Sequence, residues 1–236
     1  MELFIFREPV NAWTHGAWML LCIPAGIFLQ LRARSLLKRV GFAVFTVSLI
    51  ACFLGSCLYH AVHARSSIDL CARVDYIGIF LLIAGTMTPV MLIILDGWWR
   101  AATLFVTWSM AITGIVIRVL NLPLPDEVST GLYIMMGWTS LLCYCELARR
   151  LSHRAMRPVW IGGVIYSLGA VLNELHWPNL WPGNLGSHEV FHLFVMAASL
   201  CHFCFMVRVV APFESPLLEP AEPAPSFQLV PEQATA

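Results

Sequence analysis

His188-Glu189-Val190-Phe191-His192 spells H-E-x-x-H, two imidazoles four residues apart. On a helix they lie about 40° apart around the axis and about 6 Å apart along it, so both can reach one metal ion. Zincin metalloproteases use this pattern with the glutamate as general base. Other candidates lie far off in the chain: Ser56 and His60, one helical turn apart, and Asp75. Three imidazoles and a carboxylate match the ligands of a zinc site that keeps one position for water, and such a site supports hydrolysis.

Whether these groups meet depends on the elements that carry them. The 236 residues are 59 % hydrophobic and only 12 % charged, about half the charge share of a soluble domain. Apolar segments recur at 12–31, 40–60, 75–95, 101–120, 131–148, 159–175 and 189–210, each near the roughly 20 residues that cross a bilayer. The expectation is an all-α integral membrane protein, a bundle of seven transmembrane helices over residues 1–211. The first segment reads as a retained span, because a cleaved leader gives one short apolar segment ahead of a polar chain. Residues 212–236, rich in Pro, Glu and Ala, are expected to be a disordered tail. Zero net charge and the lack of a basic block argue against nucleic acid as a partner. The eight cysteines read as small core hydrophobes. Gly162, Gly163 and Gly169 are expected to admit a neighbouring helix.

Counting crossings decides which polar residues share a face. With seven spans, the ends of even-numbered spans and the starts of odd-numbered ones lie on the face where the chain begins. His60 ends the second span, Asp75 starts the third, and His188 and His192 start the seventh. His15, His63, Glu174 and His176 fall on the same side, and His153 and His202 toward the other. The expected zinc ligands are therefore His60, His188 and His192. Asp75 is the base or water-orienting group, with Ser56 orienting His60 or bonding a water held by Asp75. Two alternatives stay open: Asp75 as a carboxylate stabilised by a helix N-terminus, and Ser56 bonding its own helix carbonyl.

The protease reading needs a third ligand. Leu95-Asp96-Gly97 offers the aspartate tripeptide of intramembrane zincins, but Asp96 ends the third span, about 30 Å across the membrane from His188. Its order relative to the histidine motif is also reversed. Asp96 reads instead as a turn residue before Gly97.

Several patterns together resemble the hemolysin III family and the related progestin and adiponectin receptors. They are Glu8-x-x-Asn11-x-x-Thr14-His15-Gly16, Ser56-x-Leu58-Tyr59-His60, Asp75-Tyr76-x-Gly78-Ile79, Leu82-Ile83-Ala84-Gly85-Thr86-x-Thr88-Pro89, Gly162-Gly163-x-x-Tyr166-Ser167-x-Gly169 and His188-x-x-x-His192. The resemblance covers nearly all of residues 8–206. It implies zinc held at His60, His188 and His192, with a water held by Asp75. It also implies a site for membrane lipids, sphingolipid-like or fatty-acyl amides, as in receptors with ceramidase activity. The expected location is the cell membrane. A non-catalytic lipid receptor and a pore-forming cytolysin are the other readings that the relatives suggest. The receptors place the first residue in the cytoplasm, whereas ten of the 14 Lys and Arg lie on the opposite face, and the positive-inside rule favours the reverse.

Overall fold

The structure is a computed structural model that describes residues 6–214. Nearly all of the expected tail lies outside the described residues. Among the described residues, seven helices or helix runs are long and apolar enough to cross a membrane. They are α1 (Pro9–Arg32), α2 (Leu36–Ala61), α3 (Arg65–Ile93), α4 (Gly97–Val119), a broken fifth crossing, α7 (His153–Glu174) and α8 (Ser187–Phe205). The fifth crossing consists of α5 (Asp126–Gly137), a 3-10 segment (Trp138–Cys143) and α6 (Tyr144–Arg150). A π-helical turn, Met206–Val210, extends α8.

Local chemistry sets the boundaries. Pro9 occupies the first turn of α1, where a missing N–H costs nothing. Ser35 and Ser152 cap α2 and α7 by accepting from the backbone N–H groups of Lys38 and Ala155. The 3-10 break follows from side chains that bond back to their own carbonyls. Thr139 Oγ1 donates to Met136 O at 2.7 Å and Cys143 Sγ to Ser140 O at 3.3 Å. Trp138 Nε1 donates to Ser167 Oγ at 3.0 Å and fastens this break to α7.

One expectation is corrected. Residues 63–73 look like a loop because of their charges, yet the helix resumes at Arg65 and the turn is confined to Val62–Ala64. Arg65 and Asp69 are four residues apart on one exposed helical face, so their charge does not interrupt the span. Asp75 therefore stands ten residues inside α3, about 15 Å from its first residue. It is not an N-terminal carboxylate.

The core is asymmetric. The buried cluster of Phe42, Phe45, Ile93, Leu95, Phe205 and Met206 fills the half of the bundle opposite the chain's start. There α2 and α3 run close, and a Cβ on Gly41 would stand 3.0 Å from Pro89 Cα. Gly162 and Gly169 do admit α8, under His202 and Phe194, whereas Gly163 meets no neighbour and opens on a cavity. The cysteines are free thiols; Cys201 and Cys204, in C-x-x-C spacing, lie on the α8 helix.

That far face is closed by charge. Arg150 donates to both carboxylate oxygens of Asp96, at 2.7 and 2.8 Å, and also to Glu146 and to the Ile94 carbonyl. Asp96 is thus more than a turn residue, since it ties the α3–α4 turn to α6. Hydrogen bonds from Arg150 hold the Asp96 carboxyl below the usual carboxylate range. A lowered carboxyl pKa adds stability above its unfolded value, about pH 4, and the contribution is lost as pH falls through the folded value. In detergent, Arg150→Met should lower the melting temperature at neutral pH, and the variant should lose less than the wild type on acidification below about pH 4. Parallel melting curves across acid pH check this.

Candidate metal centre

Two helix ends deliver the three histidines. His60 is the penultimate residue of α2, His188 lies in the first turn of α8, and His192 one turn deeper. His60 and His192 are 1 % and 3 % exposed. One ligand atom from each of the three histidines lies within 4.8 Å of the others. Asp96 is at the other end of the bundle, as the crossings predict.

The outer hydrogen bonds fix how the rings face. Glu8 Oε2 is 2.5 Å from His60 Nδ1. Burial pushes the Glu8 carboxyl up, but His60, Asn11 and Arg7 together hold it below its ordinary value. It is therefore a carboxylate, and Nδ1–H of His60 is the donor. His188 Nδ1 lies 3.4 Å from Asn173 Oδ1, again an acceptor. Each neutral imidazole has then spent its one hydrogen outward. The tautomer of His188 that donates from Nδ1 leaves lone pairs on His60 Nε2 and His188 Nε2, only 3.3 Å apart.

Two facing lone pairs repel unless a cation lies between them. The spacing also suits one, because two nitrogens each about 2.05 Å from a tetrahedral ion are separated by about 3.3 Å. The donor set, buried imidazoles with carboxylate and amide partners behind them, could hold a divalent metal. His192 completes it, its ring centroid 4.6 Å from that of His188 and 4.9 Å from that of His60. His15 backs His192, the two rings stacked at 3.7 Å and 16°, with Phe53 edge-on to His15.

Asp75 and Ser56 reach the same place from α3 and α2. The Ser56 side chain interacts with the Asp75 carboxyl, and both line one cavity of about 670 Å³ with His60, His188 and His192. Of the two roles expected for Ser56, this contact lies on the Asp75 side. The cavity continues between α3, α5 and α7 as far as Val159 and Trp160, about 22 Å along α7 from Glu174.

Sequence reasoning missed the support behind the ligands. Asn11 Nδ2 donates to Glu189 Oε1 at 2.8 Å and lies 3.3 Å from Glu8 Oε2. Glu189 Oε2 accepts the Gly186 N–H at 2.8 Å, capping α8. The central glutamate of H-E-x-x-H is therefore tied outward, to the helix start and to α1, and not into the site. The available signal was Glu8-x-x-Asn11, two polar residues on adjacent turns at the head of the first span, on the face of His60.

The profile of the haemolysin-III related family matches residues 4–203. The chain belongs to that family. Hemolysin-3 of Bacillus cereus is 34 % identical over 214 residues, which is 89 % of this chain and 95 % of that protein. A Hemolysin-3 homolog of Bacillus subtilis is 32 % identical over 219 residues, 90 % of this chain and 100 % of that protein. An ADIPOR-like receptor of Saccharomyces cerevisiae is 24 % identical over 225 residues, 84 % of this chain and 70 % of that protein. This haemolysin-III related chain is an integral multi-pass membrane protein with a clustered histidine triad.

If Glu189 is a cap and a link to Asn11, Glu189→Ala should destabilise the fold by about 1–2 kcal/mol, read as a lower melting temperature in detergent. Glu189→Gln keeps one acceptor oxygen and should lose less. A Glu189→Ala protein that melts like the wild type would contradict the assignment.

Proposed function

We propose that this protein is a zinc-dependent hydrolase of lipid amides, ceramidase-like in its chemistry, acting in the cell membrane. One observation carries the reading: the facing Nε2 lone pairs of His60 and His188, closed by His192, stand at the head of a deep cavity with an acid on its wall. A zinc ion held there would supply Lewis acidity toward the amide carbonyl and acidify water to near pH 7.

The chain's own groups supply the rest. Asp75 takes the proton from the attacking water and returns it to the departing amine as the C–N bond breaks. Ser56 fixes the orientation of that carboxyl. Glu8 and Asn173 keep hydrogens on the outward nitrogens of His60 and His188, so that both Nε2 atoms stay available. The cavity volume falls within the roughly 300–1,000 Å³ of small-molecule sites, and Ile79, Leu82, Ile83, Met87 and Val195 offer acyl chains an apolar wall away from water. A polar head at the histidines and a tail along this wall define an amphiphile.

A second reading is a lipid receptor without catalysis, supported by the receptor name of the yeast relative. Asp75→Asn separates the two. With a fluorescent ceramide and zinc-loaded protein, the variant should keep its zinc and lose about a hundredfold or more in turnover, the low end for an acid–base group. Turnover equal to the wild type would remove Asp75 from the chemistry, and a wild type that binds zinc but leaves the ceramide intact would favour the receptor.

A further inference from the structure

His202 stands ten residues beyond His192 on α8, about 15 Å deeper in the bundle. It lines the same cavity, with Tyr166 of α7 beside it at a ring-centroid distance of 5.6 Å. Their surroundings are otherwise largely apolar, with Val159, Trp160, Leu82 and Val195 on the same cavity wall. Burying polar groups here is costly unless they are paired.

The pairing present is incomplete. His202 is only 9 % exposed, and its Nε2 lies 3.4 Å from the Val159 carbonyl, which can only accept. The ring hydrogen therefore sits on Nε2, leaving Nδ1 as a bare acceptor. His202 Nδ1 is buried without a hydrogen-bond partner, and so is the Tyr166 hydroxyl. The backbone also makes room for this ring, since a Cβ on Gly162 would stand 2.7 Å from His202 Nε2. The glycine reserves space for an imidazole where an apolar side chain would have filled the floor at less cost.

An unpaired acceptor and an unpaired hydroxyl on rings whose centroids lie 5.6 Å apart are together the complement of a second hydroxyl. A carbonyl would satisfy Tyr166 but leave Nδ1 unpaired, and a methylene would satisfy neither. We propose that His202 and Tyr166 form a polar subsite that binds a hydroxyl carried part-way along the chain of a lipid whose head lies at the histidine triad. The hydroxyl donates to His202 Nδ1 and accepts from Tyr166. The subsite rests on the lipid-binding reading above and narrows it to chains hydroxylated well away from the head.

Ricinoleate and oleate are matched probes, because ricinoleate is oleate with one mid-chain hydroxyl. Calorimetric titration of the full-length protein in detergent should show ricinoleate binding about tenfold more tightly, the expected scale for pairing otherwise unpaired buried groups. His202→Leu and Tyr166→Phe should each abolish most of that preference while oleate affinity stays the same. Tyr166→Phe removes a single oxygen and keeps the test open should His202→Leu fail to fold. Equal affinities in the wild type, or a preference that survives in Tyr166→Phe, would overturn the subsite while leaving the lipid reading intact. If neither lipid binds, both readings are overturned.

Discussion

Two imidazole nitrogens, His60 Nε2 and His188 Nε2, face each other at 3.3 Å with their hydrogens committed elsewhere. In a low-dielectric interior that arrangement is unfavourable without a positive charge between the rings. The bundle nonetheless builds it from two separate helices, α2 and α8, and surrounds it with supports. Glu8 holds His60, Asn173 holds His188, and His15 stacks on His192. Glu189 and Asn11 bind the head of α8 to that of α1. Each support fixes a ring's orientation or a helix end, and none of them is a ligand.

The two halves of the membrane domain divide the work of stability and function. Opposite the chain's start, aromatic and aliphatic side chains pack closely and the Asp96–Arg150–Glu146 network clamps the turns. Beside that packing lies an open interior, where the broken fifth crossing and Gly163 line a cavity that runs from the histidines as far as Val159 and His202. A fifth helix that ran unbroken through Trp138–Cys143 would project different side chains into that space. The interruption at Thr139 and Ser140 is thus tied to the shape of the cavity as well as to the local hydrogen bonds that cause it.

Much of this was legible in the sequence, for a physical reason. A bilayer demands about 20 apolar residues per crossing, so span number followed from composition, and span parity alone brought His60, His188 and His192 to one face and sent Asp96 to the other. Parity has no resolution along the membrane normal, which is why Asp75 was placed at a helix start when it lies ten residues inside α3. Charge on one exposed face of a helix end reads in a hydropathy window as a loop, as Arg65 and Asp69 do at the start of α3. Hydrogen bonds between residues 52 and 178 positions apart, as in Glu8–His60 and Asn11–Glu189, leave no local pattern. Only the three-dimensional arrangement shows that the glutamate of H-E-x-x-H is a cap.

The proposed function requires the triad to hold a zinc ion through imidazole nitrogens alone. X-ray absorption at the zinc edge, on full-length protein purified in detergent, measures this directly. Three nitrogen neighbours at about 2.0–2.1 Å without sulfur, with one nitrogen fewer in His188→Ala, is the predicted result. A sulfur shell in the spectrum, or folded protein that takes up no zinc, would contradict it.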